Sequence, residues 1–128
     1  MPAMPVTYQI DPGTSLVRCA VRGTLTLGDL TTHHDQLAGD PELTADMEIL
    51  WDFSAADHFD HSAAKFAEAA EGTFVGLGKR RALVARPGTE VFQMLEIWIL
   101  HRAARGDRGL RLFATTEPAL AWLAQGTD

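Results

Sequence analysis

Three short apolar runs, EILWDF (residues 48–53), RALVA (81–85) and LRLF (110–113), are separated by longer segments in which apolar residues recur at helical spacing. Runs of four to six such residues have the length of a strand, and an unbroken apolar run is typical of a strand covered on both faces. Parallel neighbours need a crossover of a dozen or more residues, usually a helix, and the intervening segments are long enough to provide one. The pattern therefore restricts the chain to an α/β architecture with parallel crossovers.

Ahead of these runs, Val6, Tyr8 and Ile10 alternate with Thr7, Gln9 and Asp11, and Val17, Cys19 and Val21 alternate with polar neighbours after the turn signal Asp11-Pro12-Gly13. This predicts a hairpin with one wet face. Thr26 stands three residues before Asp29 in a capping-box-like arrangement, and Leu27, Leu30, His34 and Leu37 follow at helical spacing until Gly39-Asp40-Pro41. Further helices are predicted over Ser62–Glu71, over about 90–105 and over Thr116–Leu123, the last with Pro118 in its first turn. The expected order is ββαβαβαβα: a single α/β domain over residues 1–128, with a five-stranded mixed sheet and four helices mainly on one face.

The 128 residues suffice for one domain with a core that needs no disulfide or structural metal. The net charge of −6 argues against a general nucleic-acid surface, although Lys79, Arg80 and Arg81 cluster locally, as do Arg102, Arg105, Arg108 and Arg111. No apolar run approaches the roughly 18 residues of a membrane span. The opening MPAMPV has no basic region followed by an apolar one, so a cytoplasmic location is expected, with Met1 or Met4 as the start. Cys19, the sole cysteine, has no partner for an internal disulfide.

The stretch WDFSAADHFDHSAAKF (51–66) gathers Asp57, His58, Asp60 and His61 within five positions, and His33, His34 and Asp35 form a second group. These are metal-ligand types, but their spacing matches no established metal motif, and acids and histidines at a helix entry ordinarily cap it and face water. The chain also lacks a nucleophile elbow, a phosphate-binding glycine loop and an HExxH helix. No metal, no cofactor and no enzymatic activity are expected. In EVFQMLEIWILHRAAR (90–105), Val91, Phe92, Met94, Leu95, Trp98 and Ile99 form a broad apolar arc, whereas Ile97 and Leu100 fall on the opposite side. A homodimer contact through Ile97 and Leu100, with Met94 or Trp98 at its edge, is expected.

VRGTLT (21–26) resembles the signature that ends the second strand of STAS domains, the anti-sigma-factor antagonists of the SpoIIAA type. DFSAADHFDHSA (52–63) resembles that family's Asp-Leu-Ser-x-Val-x-Phe-Ile-Asp-Ser-Ser-Gly loop, and FATTEPALAWL (113–123) is similar to its closing strand and helix. The likeness is strongest to small bacterial SpoIIAA-like proteins labelled STAS/SEC14. It implies a SpoIIAA-like fold and a non-enzymatic regulatory module that docks a protein partner through the loop 54–62, with Asp57, His58, Asp60 and His61, and the helix that follows. It also implies phosphorylation of Ser62 by a partner kinase, which helix-start N–H groups would favour; the alternative role for Ser62 is a plain N-cap. Here Ala63 stands where the family has glycine and His61 where it has the first serine. The SEC14 label implies the alternative function, a binder of a small apolar or lipid-like ligand between helices and sheet.

Overall fold

In this computed structural model, residues 6–44, 46–59, 80–104, 106 and 109–125 are described. The elements are β1 (Val6–Asp11), β2 (Leu16–Leu25), α1 (Leu27–Ala38), β3 (Glu48–Phe59), β4 (Arg81–Val84), α2 (Glu90–Ala104), β5 (Leu110–Phe113) and α3 (Thr116–Ala124). The five strands form one sheet in sequential order. β1 and β2 are antiparallel, with Val6 opposite Val21, and every later pairing is parallel. The helix expected over Ser62–Glu71 lies outside the described residues.

Sequential strand order with right-handed crossovers places the crossover helices on the same face. α1 and α2 accordingly share one face, where Leu37, Val91, Leu95 and Trp98 pack on Val17, Cys19, Val21, Ile49, Trp51 and Leu83. The last helix departs from the expected arrangement. α3 follows the final strand and closes no crossover, so handedness does not constrain it; Ala119 and Leu123 cover Leu50, Ala82 and Val84 on the opposite face. With both faces covered, all four residues of β4 are buried. Arg80 secures α3: its guanidinium donates to the Trp122 carbonyl at 2.8 Å and lies 5.1 Å over the Trp122 ring. Arg81 and Arg102 are buried, so these members of the basic clusters do not form an exposed basic surface.

β3 is longer than the run EILWDF suggested, because Ser54–Phe59, expected in a loop, continue the strand. Ala20 pairs with Asp52, Arg22 with Ala55 and Thr24 with His58, so β3 gains one residue on β2 at each of two bulges. Each bulge breaks the two-residue alternation, and Phe53, Ala56 and Phe59 all become buried at a spacing of three. Gly23 adopts φ +62 beside the second bulge, a conformation in which a side chain would be strained.

At the start of α1 the capping box forms as expected. The Asp29 N–H donates to Thr26 Oγ1 at 3.1 Å, and the Thr26 N–H donates to Asp29 Oδ2 at 2.9 Å. Thr26→Ala removes an acceptor from an otherwise unpaired helix-start N–H and is expected to cost about 1 kcal/mol in urea denaturation. Thr26→Ser, which keeps the oxygen, is expected to stay near wild type.

Candidate functional site

The expected docking stretch divides at Phe59. Asp57 and His58 are exposed at the end of β3, where the bulges turn both outward, and His58 Nδ1 lies 3.1 Å from Glu90 Oε1 at the first turn of α2. Asp60, His61 and Ser62 lie outside the described residues. Among the described residues no group of three or more His, Cys, Asp or Glu side chains could hold a metal ion. The second histidine set separates: His34 is half-buried, with Nδ1 3.6 Å from Asp35 Oδ1, whereas His33 faces the core.

α2 carries the contrast expected of its two sides. Val91, Met94, Leu95 and Trp98 are buried against the sheet, while Ile97 is 49% exposed and Leu100 71% exposed. Met94 and Trp98, expected at the edge of a dimer contact, are thus in the monomer's own core. They occur one helical turn apart with Val91 and Leu95 on the arc that meets β3, so neither reaches the outer side. Beside the exposed pair, Phe92, Glu96, Ile99 and Leu100 of α2 and Leu110, Arg111 and Leu112 of β5 line an open groove of about 310 Å³. Among the described residues β5 is the last strand of the sheet and pairs only with β4.

The titratable group that sequence reasoning misassigned is His33. It is 3% exposed and packs on side chains of three neighbouring strands. Its Nε2 is 3.4 Å from Cys19 Sγ on β2, its ring meets Tyr8 of β1 edge-on with centroids 5.4 Å apart, and it meets Trp51 of β3 at 4.8 Å. Its Nδ1 has no hydrogen-bond partner. Burial, with a smaller contribution from His34, lowers the imidazole pKa to about 4. Burial also pushes the Cys19 thiol well above its usual range. Tyr8 is raised too, first by its hydrogen bond to Asp40, whose Oδ2 accepts from the hydroxyl at 2.9 Å, and then by burial. At neutral pH this is therefore an uncharged imidazole against an uncharged thiol, both buried. The sequence signal was the spacing of His33 and Leu37, buried one turn apart among the described side chains of α1.

A scan against protein-family models finds none that matches this chain, and a search of curated proteins finds no match. Solved structures do match over nearly the whole length. One is the crystal structure of an uncharacterised DUF3478-family protein with a SpoIIAA-like fold from Shewanella loihica, at TM-score 0.60 and 20% identity, covering 96% of this chain and 97% of that one. Another is the anti-sigma factor antagonist SpoIIAA in its unphosphorylated form, at TM-score 0.52 and 13% identity, covering 93% and 97%. With the sequential five-stranded sheet and the described crossover helices α1 and α2 on one face, these likenesses establish that the chain has the SpoIIAA-like α/β fold.

Proposed function

We propose that this chain is a non-enzymatic protein-interaction module. The observation that carries the reading is the pair of large aliphatic side chains, Ile97 and Leu100, held in solvent on a helix whose other side is core. Isolated exposed apolar residues are ordinary, but here two lie together beside an aliphatic groove and a strand edge that is unpaired among the described residues. A second copy of the chain covers this ridge, and a different protein meets the exposed end of β3 at Asp57 and His58, with Asp60, His61 and Ser62 beyond it. The likeness to SpoIIAA, described as an anti-sigma factor antagonist, supports an interaction role for the fold. The space between the helices and the sheet is occupied by Trp51, Trp98 and Phe59, all buried, which favours docking over retention of an apolar ligand there.

Ile97→Glu combined with Leu100→Lys tests the reading. The wild type is expected to sediment as a dimer and the double variant as a monomer, with unchanged circular dichroism because neither side chain belongs to the monomer's core. A wild type that stays monomeric at high concentration would refute self-association through α2. A docking role at β3 is read separately: Ser62→Asp should weaken capture of a partner protein, and equal capture by both forms would count against a phosphorylation switch.

A further inference from the structure

Among the described side chains of α1, His33 and Leu37 are buried, while Thr32, Asp35, Gln36 and Ala38 are exposed. Beyond these, the Tyr8 hydroxyl donates to Asp40 just past the helix end and reaches the Gln36 carbonyl at 3.5 Å. His33 is thus a principal anchor, and it sits where an imidazolium has no means of compensation. Protonation turns both ring nitrogens into donors. Nε2 then faces only the weakly accepting Cys19 sulfur, and Nδ1 is buried without an acceptor. β1 presents Tyr8, already engaged with Asp40, and β2 presents Cys19, held as a neutral thiol. β3 presents the Trp51 ring. From α1 itself come His34, which adds like charge when protonated, and Asp35 paired with it on the exposed side. Asp40 and Glu42 act on Tyr8 rather than on the imidazole.

We propose that His33 is a proton-operated latch: in mild acid its imidazole gains a proton, leaves the Tyr8–Cys19–Trp51 box for water, and lifts α1 while the rest of the sheet and α2 stay folded. A buried cation without partners is expelled or forces its surroundings open, and α1 is the element that carries the imidazole. Lifting α1 uncovers Cys19 and the apolar side of β1–β3, so acid would expose a surface that is closed at neutral pH. The lowered pKa of His33 agrees with this direction.

Cys19, the only cysteine in the sequence, reports the opening. Labelling with 4,4′-dithiodipyridine, which reacts with thiols in mild acid, is measured from pH 7 to pH 4.5 and normalised to the urea-unfolded chain at each pH. The normalised rate in wild type is expected to rise roughly 10- to 100-fold, the change in open population that linkage allows over this interval, with far-UV circular dichroism retained. His33→Leu and His33→Gln are expected to show no such rise. Hydrogen exchange on the unaltered chain supplies an arm that needs no variant: α1 amides should lose protection at pH 4.5 while those of β4 keep it. A flat wild-type profile, an equal rise in folded His33 variants, or simultaneous loss of protection in α1 and β4 would each overturn the latch.

Discussion

Trp51→Ala is expected to lose about 3 to 5 kcal/mol of folding stability, the largest effect of any single substitution considered. Trp51 sits on the central strand β3, is fully buried, stacks on Phe53 at 5.7 Å with planes 16° apart, and touches the edge of His33 at 4.8 Å. Its removal leaves a void whose floor is sheet backbone, tied to β2 and β4 on both sides, so the void cannot close from that side. Since a domain of this kind is stable by only about 5 to 15 kcal/mol, the variant should be largely unfolded at moderate urea concentration. Trp51→Phe, which keeps a ring in the box, should cost less. Urea denaturation followed by circular dichroism measures both, and a loss below about 1.5 kcal/mol for the alanine variant would mean that Trp51 is not a packed core residue. Ile97→Ala provides the contrast: an exposed aliphatic on α2 should shift the monomer's stability by no more than about 0.5 kcal/mol.

The contrast between Trp51 and Ile97 also marks where the sequence was informative. On α2 a single helical period separated the two sides, and Ile97 and Leu100 are exposed as that period requires, because a straight regular helix preserves the pattern. The hairpin, the capping box at Thr26 and the buried run at β4 were legible for the same reason: each depends on neighbours in sequence. β3 was legible only as far as its first bulge. Beyond it the burial of Phe53, Ala56 and Phe59 follows a spacing of three, which belongs to neither a regular strand nor a loop and is set by the register with β2, a non-local property. α3 was located along the chain, but its face was not, since no crossover rule binds a terminal helix. At the candidate site, Asp57 and His58 were correctly read as facing water but were placed in a loop. His33 was grouped with its polar neighbours by residue type, whereas its position one turn from Leu37 governs its surroundings.

The buried His33–Cys19 pair should limit stability from both sides of neutrality. On the acid side, an unfolded histidine binds its proton near pH 6.5, whereas His33 in the folded chain does so only at about 4. Between those values the unfolded chain carries the extra proton, so the stability contributed by a neutral His33 is complete above pH 6.5 and is lost as the pH falls toward 4, by up to about 3 kcal/mol. On the alkaline side the sign reverses. The thiol ordinarily ionises near 9.0, but burial raises Cys19 in the folded chain, so the unfolded state sheds its proton first and stability falls as the pH rises through that value. Urea midpoints measured from pH 4.5 to pH 10 should therefore trace a plateau with two shoulders. Because carboxylates, tyrosine and lysine also titrate toward the ends of that range, the assignment rests on variants: His33→Leu should flatten the acid shoulder and leave the alkaline one, and Cys19→Ala should do the opposite. An acid shoulder of unchanged size in His33→Leu would assign that proton to another group. The two shoulders have one physical origin, a polar pair buried between α1 and the sheet where neither member can ionise without losing its place.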